Sequence, residues 1–360
     1  MKVGIIGLPQ TGKTTVFNAL TGAHGEVGGF HAGGPTGVAM LKVPDPRLEY
    51  LAGLFRPQKT VQAAIELEDI AGIFAHMGPS GGDSGRAVAS ARDTDALLMV
   101  LRAFPDPTVL HIFGSVNPVR DCARMTEEML LADLGVVEKR IESIQKDLRK
   151  CPASEREHLH AETDLLQRCR QAIEQEHGVR DVAMNEAQHK MVRSYAFLTM
   201  KPVVYLLNIG EGQIGQAAAL GEMRGLPEPP VVMCGKLEME LMELDEQDRT
   251  EFMKDARLTQ LASQNVIRAC YDALDVRTFF TYAHDEVKAW TLHAGDNAVA
   301  AAGKVHTDMA EGFIRAEVVA FDDLKACGSM KDAKAHGKVR LEGRDYVVQD
   351  GDVITFRFGR

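Results

Sequence analysis

The chain has 360 residues, a formal net charge of −10 and six cysteines, which is enough length for two or three domains and a sizeable core. No run of about 18 apolar residues is present, which excludes a membrane-spanning helix, and the acidic balance excludes a protein that coats nucleic acid through its overall charge while leaving local basic patches open. Cys122, Cys151, Cys169, Cys234, Cys270 and Cys327 are scattered without a C-x-x-C pair, a pattern of reduced thiols rather than of disulfides or a zinc site; with a strand expected from Val3, no signal peptide is expected and the reading is cytoplasmic.

The apolar run Val3–Ile6 predicts a buried strand that leads directly into Gly7-Leu8-Pro9-Gln10-Thr11-Gly12-Lys13-Thr14, a complete G-x-x-x-x-G-K-[ST] phosphate loop. Pro9, Gln10, Thr11, Gly12, Lys13, Thr14 and Thr15 are the expected nucleotide contacts. Gly7 and Gly12 let the backbone fold tightly enough for successive N–H groups to cradle phosphates. Lys13 can reach the β- and γ-phosphates as the catalytic cation, and the Thr14 hydroxyl can ligate Mg²⁺. Helix is predicted from Thr14 to Leu20, so its N-terminus faces the same anion. Strands are expected at Val38–Val43, Ala63–Leu67 and Ala96–Leu101. The second of these runs into Asp69-Ile70-Ala71-Gly72, a D-x-x-G pattern in which Asp69 holds the metal through water and the Gly72 N–H meets the γ-phosphate. Where many GTPases follow this pattern with a water-orienting Gln, this chain has Ile73.

Residues 120–201 have a different period. Leu134, Val137, Ile141, Ile144 and Leu148 step by three and four, an a/d heptad seam. Cys151-Pro152-Ala153-Ser154 reads as a turn, with Ser154 and Glu157 as a capping box for a second helix whose stripe is Leu159, Leu166, Cys169 and Ile173. The two predict an antiparallel helical hairpin. Lys139, Arg140, Lys146, Arg149 and Lys150 crowd its first helix, either as a solvated face with pairs such as Glu142 with Lys146, or as a surface for RNA or protein.

Strands resume at Val203–Leu207 and Pro230–Cys234, so 1–119 and 202–276 together predict an α/β nucleotide-binding domain with a mainly parallel sheet and its ligand at the carboxyl ends of the strands. Asn208-Ile209-Gly210-Glu211 sits where a GTPase carries its guanine reader N-K-x-D. The Lys is replaced by Ile209 and the Asp by the longer Glu211. Adenine lacks the N1–H and 2-amino donors that the Asp accepts, so the reason to reject ATP is weakened. Cys234-Gly235-Lys236, after the next strand, occupies the place of a base-supporting loop. Residues 277–360 are dense in short alternating runs and turn signals such as His293-Ala294-Gly295-Asp296 and Gln349-Asp350-Gly351-Asp352, which predict a small α+β module. Lys331, Lys334, Lys338, Arg340 and Arg344 form a basic cluster there, read either as an RNA contact or as a solvated face balanced by Asp332 and Glu342.

Gly7–Leu20, Val43-Pro44-Asp45-Pro46-Arg47-Leu48, Asp69–Gly72 and the Asn208–Glu211 box resemble the Obg-like ATPase (YchF) subfamily of translation-factor-type P-loop NTPases. Glu286–Thr291, His306-Thr307-Asp308, Gly312–Val318 and Leu341–Phe358 resemble its C-terminal TGS module. The resemblance implies a GTPase-like domain, a coiled-coil insertion and a ubiquitin-like β-grasp ending. It further implies ATP in preference to GTP, Mg²⁺, slow hydrolysis, and association with the ribosome, with RNA contact through the TGS module or the helical arm. By the same resemblance His111 takes the water-orienting role that Ile73 cannot, and Thr36, the hydroxyl of the glycine-rich stretch Phe30–Gly37, is the expected switch ligand of the metal. A nucleotide-dependent ribosome- or RNA-binding module with little hydrolysis is the alternative; a small-molecule kinase has no use for a D-x-x-G switch beside a base-reading box.

Overall fold

The computed structural model describes residues 1–22, 37–70, 73, 85–255, 258, 260–283 and 285–359. Its strands are β1 (Lys2–Ile6), β2 (Val38–Lys42), β3 (Lys59–Val61), β4 (Ala64–Asp69), β5 (Ala96–Arg102), β6 (Val203–Asn208), β7 (Val231–Met233), β8 (Val276–Ala283), β9 (Glu286–His293), β10 (Phe313–Ala320), β11 (Arg340–Glu342) and β12 (Asp352–Phe358). They form two six-stranded sheets. The chain divides into two compact units, Met1–Ala39 with Glu66–Val266, and Met40–Ile65 with Ile267–Arg360.

The first sheet runs β2-β4-β1-β5-β6-β7. β1 pairs in parallel with β4 and β5, β5 with β6, and β6 with β7. The β2 edge is antiparallel: the Asp69 N–H bonds the Gly37 carbonyl and the Val43 N–H the Ala63 carbonyl, each at 2.8 Å. Every residue of β5 is buried, as a central strand covered on both faces requires. All six stretches read as strands in the nucleotide-binding half lie in this sheet. The chain leaves β1 for neighbours on both sides, which makes its carboxyl end the topological switch point where a ligand crevice opens.

The helical insertion starts at Pro118, with Asn117 accepting the Arg120 N–H at 3.1 Å as its cap. Helix Pro118–Asp147 spans 30 residues, about 45 Å at 1.5 Å per residue. Its root shares the sheet core: Cys122, Met125 and Met129 pack with Met99, Leu101, Tyr205 and Leu207. Farther out, Val137, Ile141 and Ile144 pack on Leu165, Leu166, Cys169 and Ile173 of helix Ala153–Glu174, so the expected seam is real. The expected capping box is not. The second helix begins at Ala153 with Pro152 at the cap position and no side-chain cap; the proline holds φ at −60° and starts the helix two residues early, leaving Ser154 inside the first turn. Of the basic residues on the first helix, Arg140 turns inward and forks onto Glu162 at 2.8 and 2.9 Å, with the Tyr195 hydroxyl donating to the same carboxylate. Glu142 and Lys146 form no ion pair among the described residues.

The second unit's sheet runs β11-β10-β12-β8-β9-β3. β8 and β9 form an antiparallel hairpin, β12 lies parallel to β8, and β10 pairs antiparallel with β12 and β11. Helix Ala298–Val305 packs Ala298, Ala301 and Ala302 against Phe279, Leu292, Phe313 and Ile354. This mixed sheet with a helix across it is the expected β-grasp. Residues 40–65, which lie within 1–119 in the sequence reading, belong to this unit because β3 pairs with β9 and Arg47 ties down helix Pro46–Phe55. Its guanidinium meets Asp45 at 2.8 Å and Asp350 at 2.6 Å and lies 5.4 Å from the Phe280 ring centre. No helix among the described residues is long and apolar enough to cross a membrane.

The hairpin core is independent of the sheet beyond its root, so Ile144→Ala is expected to cost about 3 kcal/mol through lost transfer energy and a cavity. Urea unfolding of the full chain measures it, with the loss read from helical signal.

Candidate active site

The strand β1 delivers the chain into a turn that only a few backbones can make. Gln10 and Gly12 both adopt positive φ, 63° and 86°. Gly12 is doubly required, because a Cβ there would stand 2.4 Å from Asn208 Nδ2, and one at Gly7 would stand 2.7 Å from the Val100 carbonyl oxygen. The Thr11 hydroxyl donates to the Leu8 carbonyl at 3.1 Å and closes the loop. Helix Lys13–Thr21 follows at once, with no side-chain cap on its first turn. Its free N–H groups therefore face the space enclosed by the loop. The Lys13 ammonium folds back over that space and donates to the carbonyls of Gly7 at 3.0 Å and Leu8 at 2.9 Å. Burial lowers its pKa from the usual 10.5, against the opposing pull of Asp69.

Thr14 and Asp69, 55 residues apart in sequence, meet at the end of β4: the threonine hydroxyl donates to Asp69 Oδ2 at 2.9 Å. Asp69 is 7 % exposed and its Oδ1 has no hydrogen-bond partner. A buried carboxylate oxygen left orphaned beside a hydroxyl, at the mouth of a phosphate loop, fits a hard cation that takes its remaining ligands from phosphate and water. No cluster of three or more His, Cys, Asp or Glu exists among the described residues to hold a metal without such help. Gly72 and Thr36 lie outside the described residues.

On the opposite side, Asn208 ends β6 and is 3 % exposed. Its Nδ2 donates to the Thr11 carbonyl at 2.9 Å, and its Oδ1 accepts the Gly235 N–H at 3.1 Å. Its backbone carbonyl accepts from Ala103 and Phe104. Asn208 thus joins the phosphate loop to the Cys234-Gly235-Lys236 loop, where burial raises the Cys234 thiol pKa. Ile209 is buried in the core, while Glu211 is exposed and pairs with Lys236 at 3.1 Å. Sequence reasoning missed two supports of this end. Arg102, 1 % exposed, donates to the carbonyls of Phe104 and Asp106 and lies 4.5 Å from the Phe104 ring centre. Gln213 accepts the Gly210 N–H and donates to the Ala103 carbonyl. An arginine directly following the apolar run of β5 was a readable signal; the glutamine was not.

Among the described residues, the hydrogen bonds and ring contacts of His111 are to Asp121 and Phe113, not to the phosphate loop. Its Nε2 lies 2.8 Å from Asp121 Oδ2 and its Nδ1 accepts the Phe113 N–H at 3.1 Å, so neither ring nitrogen is free to orient a water. Ile73 is 3 % exposed and packs in the sheet core. In the C-terminal basic cluster Lys334 pairs with Glu317, Lys338 with Asp323 and Arg340 with Glu342, which favours the solvated face.

A parallel sheet whose first strand ends in this turn, with a threonine–aspartate pair on one side and an asparagine bridge on the other, is how P-loop NTPases of the GTPase type are built. The family model described as "50S ribosome-binding GTPase" matches residues 2–130, and the model YchF-GTPase_C, described as "Protein of unknown function (DUF933)", matches 276–359. "Ribosome-binding ATPase YchF" of Bacillus subtilis is 37 % identical, with 99 % of each chain covered. "Obg-like ATPase 1" of Caenorhabditis elegans is 32 % identical, covering 99 % of this chain and 92 % of that one. The solved structure of the Schizosaccharomyces pombe YchF GTPase matches with a TM-score of 0.85 at 27 % identity, over 99 % of this chain and 97 % of that one. The chain belongs to the YchF family of Obg-like ATPases.

Gly12→Ala is expected to abolish nucleotide binding while leaving the fold cooperative, since the new methyl displaces Asn208 and strains a left-handed position; calorimetric titration reads it. Because Lys13 has a lowered pKa, an incoming phosphate must restore its proton wherever the pH exceeds that value. Nucleotide affinity is therefore expected to fall on the alkaline side with net proton uptake, measured by calorimetry in buffers of different ionisation enthalpy.

Proposed function

We propose that the chain binds ATP in preference to GTP, hydrolyses its γ-phosphate slowly, and does so as a ribosome-associated regulator. The observation that carries nucleotide binding is the phosphate loop with Lys13 folded over it and bonded only to loop carbonyls, which a phosphate can replace. Adenine preference is supported at the base end: Ile209 and Glu211 stand in the guanine-reading positions, and the Glu211 carboxylate is engaged with Lys236. Ribosome association is supported by the names of the Bacillus subtilis relative and of the family model over residues 2–130.

In this reading Thr14 and Asp69 would hold Mg²⁺, which supplies neutralisation of phosphate charge when bound. Lys13 places a positive charge on the β- and γ-phosphates, and the first-turn N–H groups of helix Lys13–Thr21 orient them. Gly12 lets the backbone come close, and Pro9, Gln10, Thr11 and Thr15 shape the cradle. Asn208 holds the cradle to the base loop, where Glu211, Cys234, Gly235 and Lys236 border the base. Slow turnover is supported by Ile73, which has no hydrogen-bonding group, and by His111, which must release Asp121 before it can take part. The same pair of observations favours a second reading, a nucleotide-dependent binding module without hydrolysis.

Calorimetry with Mg²⁺ present is expected to give ATP an affinity at least about tenfold above GTP, and Lys13→Ala is expected to remove binding of both. A preference for GTP overturns the adenine reading. Single-turnover phosphate release without ribosomes is expected on the order of 10⁻⁴ to 10⁻² s⁻¹, the range of unassisted GTPases. Release neither alone nor with ribosomes selects the module.

A further inference from the structure

Helix Gly85–Arg92 is gripped from two sides by polar contacts that nucleotide binding does not use. On the sheet side the Ser90 hydroxyl donates to Glu68 Oε1. Glu68 is buried in β4, its second oxygen lies 2.8 Å from Lys2 Nζ, and it immediately precedes Asp69, which meets Thr14. On the hairpin side Arg92 spreads its guanidinium over the root of the insertion. Nη1 donates to Asp133 Oδ1 at 2.9 Å and to the Ala196 carbonyl at 3.0 Å, and Nη2 donates to the Ala132 carbonyl at 3.0 Å. Asp133 is fully buried and also accepts the N–H groups of Leu198 and Thr199 and the Thr199 hydroxyl, at 2.8 to 3.0 Å. Lys201 Nζ donates to the carbonyls of Arg92 and Thr94, closing the joint.

Burying an ion pair is costly, and apolar side chains of the same volume would pack this helix at no electrostatic cost. What the pair adds is geometry. A planar fork bonded to one carboxylate and two carbonyls admits a single register, whereas apolar surfaces can slide. An unbroken series of described contacts therefore runs from Thr14 and Asp69 through Glu68, Ser90 and Arg92 to Asp133 at the hairpin root. Both ends of it are rigid: β4 is a sheet strand, and Asp133 is bonded on every side.

We propose that Arg92 and Asp133 are positioning residues for the nucleotide reaction, locking helix Gly85–Arg92 to the hairpin root so that the Asp69 end of β4 and the attitude of the hairpin are set together. The inference rests on the nucleotide-binding reading and names its regulation. By linkage, whatever nucleotide does to the hairpin root, a partner that grips the hairpin does to nucleotide affinity by the same factor. Physical continuity makes such coupling feasible, and only perturbation of the joint demonstrates it.

The test uses the full chain as wild type, Ser90→Ala, Arg92→Lys and Asp133→Asn. Hydrogen exchange over residues 128–136 and 193–201 is followed with and without a non-hydrolysable ATP analogue and Mg²⁺, beside calorimetric affinity and single-turnover hydrolysis. In the wild type the analogue is expected to change exchange at the hairpin root by about threefold or more. Ser90→Ala touches neither the phosphate loop nor the hairpin, so it is expected to fold and to keep its ATP affinity within about twofold while losing that exchange response and about tenfold in hydrolysis rate. Arg92→Lys, which keeps the charge and loses the fork, and Asp133→Asn are expected to do the same, and Ser90→Ala added to Asp133→Asn to do little more. An exchange response of equal size in wild type and Ser90→Ala overturns the proposal. A wild type that binds ATP with no response at the hairpin root also overturns it and leaves the nucleotide reading standing. A wild type that binds no ATP overturns the nucleotide reading itself, and the proposal with it.

Discussion

Asn208 sits at the end of β6 with both halves of its carboxamide spent on backbone, one on Thr11 of the phosphate loop and the other on Gly235. Its own carbonyl receives the N–H groups of the turn after β5. Three loops from distant parts of the chain are thereby held to one residue, two by its side chain and one by its backbone carbonyl. Each such bond contributes about 1 kcal/mol net, but losing the amide strands a buried carbonyl and a buried N–H, at about 1–3 kcal/mol each. The need for glycine at position 12 follows from the same approach, since Asn208 Nδ2 occupies the space a Cβ would take. A residue type chosen in other sites for reading a base is used here to hold the site together.

Around that hub the site keeps its charges in reserve. Lys13 is desolvated and bonded only to neutral carbonyls, and Asp69 keeps one buried oxygen unpartnered. Both arrangements are costly without a ligand, and under the proposed function phosphate and a divalent cation would relieve them, so that binding energy would be drawn from the folded protein's own unmet electrostatics. The catalytic side is the reverse. His111 is fully hydrogen-bonded and Ile73 is buried in core, so neither of these two residues stands ready to act on water.

The two long-range clamps give the rest of the fold its organisation. Arg92 fastens the helix after the D-x-x-G segment to the hairpin root, and Arg47 fastens helix Pro46–Phe55 to Asp350 in the β-grasp unit. In each the guanidinium divides its donors among several fixed acceptors, Arg92 between Asp133 and two carbonyls and Arg47 between Asp45 and Asp350, which specifies register sharply. Residues 40–65 are especially telling: they lie between the two expected switch segments in sequence yet belong to the C-terminal unit in compactness.

Much of this protein was legible locally. The phosphate loop, the six strands of the first sheet and the heptad seam are short-range patterns, set by period and by the few residues able to take a given backbone conformation, and the structure contains them all. Where local rules competed, reading failed: Ser154 was a plausible cap, but Pro152 dictated an earlier start. The partners of His111, Arg92, Arg140 and Asn208 were not legible, nor was the place of residues 40–65. Those pairings span 10 to 197 residues and arise only when separate elements pack. The sequence by itself determined that phosphate is held at a helix N-terminus and which elements surround it. Tertiary structure alone decided which polar side chains are spent on holding loops and which are left for ligand, because a hydrogen-bonding group has no pattern of its own until burial removes water as its partner.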